Sequence, residues 1–279
     1  MSWEIRDLGL VLDGRWIFRG LLAKFPDREI NVLTGPNGIG KSLLLRILSG
    51  LEQPSQGGRL GRFLENPKIG LLNQSFATWQ KLTVLETIRS VAHLQKISPN
   101  FDLLETFDMT KFLSFRVENL SGGTLQTLRL IMILQDHYDL LLLDEPFTYL
   151  DKKRKKILND LLVSRSKDET LIVTHHFEDD EFVNFSHLYN WEGEEIQDKG
   201  KVSDWIQKRS NVRAIHLLPL EFKGKWKEKA MFHITQEEEV ICYFENNLIP
   251  WEAVPQLSHF SFRNLLWKDM NYPIPQVLK

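Results

Sequence analysis

Residues 29–48 run Glu29-Ile30-Asn31-Val32-Leu33-Thr34, then Gly35-Pro36-Asn37-Gly38-Ile39-Gly40-Lys41-Ser42, then Leu43-Leu44-Leu45-Arg46-Ile47-Leu48. A β-branched run, a glycine-rich turn and an apolar helical pattern thus follow one another directly, which predicts a strand, a phosphate loop and a helix. Gly35, Gly38 and Gly40 let bare backbone N–H groups curl around phosphate oxygens, and the helix N-terminus adds partial positive charge. Lys41 is placed to reach the terminal phosphates, and Ser42 to offer its hydroxyl to Mg²⁺. The stretch implies a nucleoside triphosphate, ATP or GTP, together with its metal.

The rest of the composition agrees with an intracellular globular protein. The chain has 279 residues, 42% hydrophobic and 26% charged, enough for one large domain or for one domain with a small companion. No apolar run approaches the ~18 residues of a membrane span, and Met1-Ser2-Trp3-Glu4-Ile5-Arg6-Asp7 lacks the layout of a secretory signal. The one cysteine, Cys242, excludes an intrachain disulfide and a cysteine-built zinc site. A net charge of −2 argues against a whole-molecule grip on nucleic acid. The basic run Lys152-Lys153-Arg154-Lys155-Lys156 precedes Ile157, Leu158, Leu161 and Leu162 at helical spacing, so it reads as the solvated start of an amphipathic helix.

Ahead of the phosphate loop, short apolar runs broken by Asp13-Gly14 and Pro26-Asp27 predict antiparallel strands. Beyond it, Lys68-Ile69-Gly70-Leu71-Leu72-Asn73-Gln74 reads as a strand ending in glutamine. Helices are expected over 82–94, 103–115 and 121–134, the last capped by Ser121. Asp139–Asp144 and Thr170–His175 are apolar runs of the kind found in strands covered on both faces. A hairpin is expected between Tyr189 and Gly200, turning at Trp191-Glu192-Gly193-Glu194-Glu195. Further on, Met231–Thr235 and Val240–Phe244 are strand-like, among aromatics whose number implies burial.

Chemistry is expected where the apolar strands end. Asp144 and Glu145 stand at the C-terminal end of the tetra-leucine strand, where open α/β sheets bind ligands. One carboxylate can hold the metal while the other polarises an attacking water. Between the phosphate loop and this pair lies Leu120-Ser121-Gly122-Gly123. With Walker A at 35–42, Walker B at 140–145 and this LSGG between them, the chain resembles the ATP-binding cassette (ABC) family of ATPases.

The resemblance implies an α/β fold: a P-loop NTPase core with an antiparallel β subdomain and a helical signature subdomain at about 75–125, together filling 1–205. Residues 206–279 form a small C-terminal extension. It implies that Glu145 is the general base, that His175 contacts the γ-phosphate, and that Gln74 contacts Mg²⁺ and the water. Asp144, Ser42 and Gln74 become the expected metal ligands. The Walker A residues Gly35, Pro36, Asn37, Gly38, Ile39, Gly40, Lys41 and Ser42 are expected to bind nucleotide, and Asp151 falls in the D-loop. His176 stands beside the switch histidine. Where the family often has a tyrosine for adenine this chain has Leu12; Trp16 is taken as the stacking aromatic, with Phe18 nearby.

In this family Ser121, Gly122 and Gly123 face the γ-phosphate held by a second cassette, so the resemblance implies a homodimer or heterodimer of cassettes closing on ATP and Mg²⁺. Chains of this kind resemble ATP-hydrolysing subunits of transporters that work through a separate transmembrane permease, export being favoured. Phe76 and Trp79 suit either the groove that would receive that partner or the interior of the small helical subdomain. The expected location is cytoplasmic, peripheral on the membrane's cytoplasmic face, with no direct nucleic-acid contact. The alternative is a soluble ABC-type ATPase that remodels a cytosolic complex or nucleic acid.

Overall fold

The computed structural model describes residues 2–58, 66–73, 79–175 and 187–201, together with the backbone of four strands between 212 and 264. Two compact units divide the chain: Met1–His176 with Asn184–Val202, and Phe177–Val183 with Ser203–Lys279.

The first unit is built on a six-stranded sheet. Strands β3 (Ile30–Thr34), β5 (Ile69–Leu72), β6 (Leu140–Asp144), β7 (Thr170–Thr174), β8 (His187–Glu192) and β9 (Glu195–Lys201) lie in the order β5-β6-β7-β3-β8-β9. All neighbours are parallel except β8 and β9. Parallel neighbours need crossovers, and the chain supplies helices for them: α1 (Lys41–Leu48), α4 (Gly122–Leu134) and α5 (Lys152–Arg165). A strand covered on both faces has no polar side, which is why Leu140, Leu141, Leu142 and Leu143 are all fully buried. Leu140 and Leu142 share one core with Leu44, Leu45 and Leu48 of α1 and with Trp3, Phe25 and Trp191. Leu142→Ala removes three carbons from this packed layer and should cost about 2–5 kcal/mol. Urea titration should show a lower midpoint with an unchanged slope.

The expected antiparallel entrance is present as β1 (Ser2–Leu12) and β2 (Arg15–Pro26), with β4 (Gln56–Gly58) on the other side of β1. Asp13 and Gly14 turn the hairpin with φ of 49° and 74°, the left-handed pair that matches strand twist. Register shifts follow Ile5, Leu8 and Leu10 along this pair.

Between β5 and β6 lie α2 (Val84–Gln95), α3 (Asp102–Thr106) and α4. Thr83 caps α2 reciprocally with Glu86. The helix expected over 103–115 is not continuous. Asp108 takes φ 55° and the Met109 N–H closes back on the Leu104 carbonyl, ending α3; only a 3₁₀ turn at Thr110–Phe112 follows. The basic run opens α5 as expected, with Leu158 and Leu162 buried on its inner side. The hairpin near 190 is also present, but β8 doubles as a parallel partner of β3.

In the second unit the two expected strands pair antiparallel as β11 (Phe232–Thr235) and β12 (Val240–Glu245). With β10 (Val212–Leu217) and β13 (Ser261–Asn264) they form a four-stranded antiparallel sheet in the order β11-β12-β10-β13.

Candidate functional site

The phosphate loop leaves β3 at Gly35 and enters α1 after Gly40. Gly35 has φ 150°, and a Cβ there would lie 2.6 Å from the Trp191 carbonyl oxygen, so the β8 backbone admits nothing larger. Gly40 is the N-cap of α1 at φ 115° and brings no side-chain oxygen to the helix end. The first-turn N–H groups are thereby left to an anion. Lys41 is buried, and its ammonium donates to the Gly35 and Pro36 carbonyls at 2.7 and 2.9 Å. Burial pulls its pKa down, while the charges of Glu145 and Asp144 oppose that shift and place both carboxylates within electrostatic reach of the loop. Ser42 is half-buried on the first turn of the same helix.

Adjacent strand ends tie the carboxylates together. The Thr174 hydroxyl, at the end of β7, donates to Asp144 Oδ1 at 2.6 Å and accepts from the Glu145 N–H at 3.0 Å. Sequence reading passed over Thr174, whose role arises only once β6 and β7 are neighbours. Glu145 takes φ 48°, a left-handed conformation of the kind found at functional sites. Asp144 is buried, and its second carboxylate oxygen, Oδ2, has no hydrogen-bond partner among the described residues. An orphaned buried anionic oxygen beside a lysine-bearing phosphate loop fits a divalent cation. Among the described residues no three His, Cys, Asp or Glu side chains form a metal cluster of their own, so such an ion would need further ligands of other kinds, for which the Ser42 hydroxyl, phosphate oxygens and water are suited and Gln74, outside the described residues, is expected. His175 is buried at the end of β7; its N–H donates to the Leu33 carbonyl and its ring meets Phe147 edge-on at 5.4 Å.

The LSGG segment forms the start of α4. Ser121 caps the helix, accepting from the Thr124 N–H at 3.3 Å, and Ser121 and Gly122 are exposed. A Cβ on Gly122 would meet open space, whereas one on Gly123 would lie 2.7 Å from the Tyr149 carbonyl oxygen. Gln126 Nε2 donates to the Pro146 carbonyl at 3.4 Å, so this helix end is seated on the segment that follows Glu145. Asp151 caps α5 by accepting from the Arg154 N–H at 2.9 Å. Gln74, Phe76 and His176 lie outside the described residues, and Trp79 is 42% exposed.

The aromatics upstream of the loop separate. Trp16 covers Gly9 of β1 and carries the Arg19 guanidinium 5.0 Å above its ring. Phe18 is buried against Trp191. Ile17 and Phe18 are the side chains against Gly40, a placement for Ile17 that no sequence pattern signalled.

A family model described as ABC transporter matches residues 18–148. The spermidine/putrescine import ATP-binding protein PotA of Spiroplasma citri is 33% identical over 196 residues, a match covering 63% of this chain and 55% of that protein. An uncharacterized ABC transporter ATP-binding protein of Haemophilus influenzae is 33% identical over 186 residues, covering 62% of this chain and 75% of that one. A dimeric ATP-binding cassette in a post-hydrolysis state, bound to ADP and Pi, superposes with a TM-score of 0.60 at 19% identity, over 71% of this chain and 98% of that one.

Proposed function

The chain belongs to the ABC transporter family of ATP-binding proteins, ATPases by chemistry, and from that membership we propose that it drives a separate transmembrane permease by closing as a dimer on ATP. One observation carries the reading. The chain has one wall that can grip a triphosphate, the loop of Lys41 with Asp144 and Glu145, and a second wall, Ser121 and Gly122, that is exposed and engaged only locally. Two copies, or one copy and a related subunit, supply both walls to each nucleotide.

Lys41 and the loop amides hold the β- and γ-phosphates. Glu145 accepts a proton from the attacking water while the Thr174 bridge keeps it beside Asp144. His175 and the partner copy's LSGG amides hold the γ-phosphate as its charge shifts. A bound Mg²⁺, held by Ser42, Asp144 and Gln74, would neutralise phosphate charge. Cleavage removes the group both walls grip, so the pair reopens.

No described helix is long and apolar enough to cross a membrane, which suits a subunit peripheral on the cytoplasmic face. The Spiroplasma citri relative is named for import, so the comparisons lend nothing to the export preference. Affinity purification of the tagged chain from detergent-solubilised membranes tests the reading. A polytopic membrane protein should co-purify, with ATP turnover by the complex that requires Lys41. Recovery only with a cytosolic assembly or with nucleic acid would overturn the transport assignment.

A further inference from the structure

Helices α2 and α4 are both capped by a hydroxyl, but they differ in where the proton of that hydroxyl goes. At the start of α2 the Thr83 hydroxyl donates to Glu86 Oε2 at 2.9 Å, and the Thr83 N–H donates to the same oxygen at 2.8 Å. A carboxylate only accepts, so the cap proton is consumed within the cap. At the start of α4 the residue three places after the cap is Thr124 in place of a carboxylate. Its Oγ1 lies 2.9 Å from Ser121 Oγ, while its N–H donates to the same Oγ at 3.3 Å.

Burial decides which hydroxyl is the donor. Thr124 is 6% exposed, so its proton needs an acceptor inside the protein, whereas Ser121 is exposed and can turn its proton to solvent. Thr124 therefore donates to Ser121. The Ser121 oxygen then receives one proton from the Thr124 N–H and one from the Thr124 hydroxyl, which fill both of its lone pairs. Its own proton is left to point away from the helix. The turn that carries it is fixed from below: fully buried Thr127 donates to the Gly123 carbonyl at 2.7 Å, and Gly123 is pressed against the Tyr149 carbonyl.

We propose that Thr124 is a positioning residue for the exposed wall of the site: by donating to Ser121 Oγ it commits that hydroxyl to donate outward, to a phosphate oxygen of the nucleotide held by the partner copy's loop. This rests on the dimer reading above. A hydroxyl free to rotate meets an incoming anion with either a lone pair or a proton. One whose acceptor sites are filled meets it with the proton, and no reorganisation is needed on contact. Thr124 acts through Ser121 and makes no phosphate contact of its own.

Sedimentation of the full-length Glu145→Gln chain with saturating Mg²⁺ and ATP tests the proposal through the chain concentration at half-dimerisation. Thr124→Val and Thr124→Ala both keep the N–H of the cap and remove the hydroxyl, and each should raise that concentration roughly five- to twentyfold. Thr124→Ser, which keeps a hydroxyl, should stay within about threefold of the parent. Added to Ser121→Ala, Thr124→Val should change the value by less than about twofold, because the proton that it would direct is gone. The Kd of the single chain for ADP, set by the Lys41 wall, should be the same in every variant. Dimerisation of Thr124→Val and Thr124→Ala at the parent concentration, an equal loss with and without the Ser121 hydroxyl, or a loss in Thr124→Ser as large as in Thr124→Val would overturn the proposal and leave the dimer reading standing. A parent chain that stays monomeric with ATP, or a Ser121→Ala chain that dimerises as tightly as the parent, would bring down both.

Discussion

Lys41→Ala should lower ATP turnover by at least about a hundredfold, the loss expected when a positioned charge is withdrawn from a phosphoryl-transfer site. The side chain is buried, so its ammonium is not a surface charge screened by water. It donates to two loop carbonyls and feels the charges of two strand-end carboxylates, so a cation is the group that suits this position. Alanine removes the positive partner of the β- and γ-phosphates and leaves Asp144 and Glu145 uncompensated beside an incoming anion. Lys41→Arg should not restore the rate, because a planar fork cannot take the place of a compact ammonium in so close a cradle. Phosphate-release assays give the rate, and far-UV circular dichroism verifies that the fold persists. A rate within tenfold of wild type would mean that Lys41 is not the group gripping phosphate.

Glu145→Gln has the second large effect, a fall of roughly a hundred- to ten-thousandfold in turnover with nucleotide binding retained. The amide keeps the shape of the carboxylate but loses its negative charge and its ability to take a proton. Backbone geometry should survive, because the residue's N–H donates to the Thr174 hydroxyl. The expected readout is ATP still bound, uncleaved, after gel filtration of the variant. Hydrolysis at the wild-type rate would remove Glu145 from the role of general base.

What could be read from residues alone divides along physical lines. Elements whose signals are local were legible: the strand–loop–helix at 30–48, the tetra-leucine strand, the Ser121 cap and the basic opening of α5 all depend on neighbours within a few positions. Asp108 was not, because an aspartate in the left-handed region looks in sequence like any other solvated turn of a helix. Pairing order was beyond reach as well. Nothing local tells β8 to lie beside β3, yet that placement is what makes Gly35 indispensable, through a Trp191 carbonyl far along the chain. The same holds for Thr174, which becomes part of the site only across the β6/β7 register, and for Ile17, which a bulge turns onto the loop. In the second unit, β11 and β12 form a local hairpin and were readable, whereas β10 and β13 gain their place from partners distant in sequence.

The pairing of cassettes is tested most directly by measuring ATP turnover per chain against chain concentration, with sedimentation velocity on the same samples. Turnover should rise with the dimer fraction, and the Glu145→Gln chain should sediment as a dimer with Mg²⁺ and ATP but as a monomer with ADP. A constant rate per chain at concentrations where only monomer sediments would contradict the account.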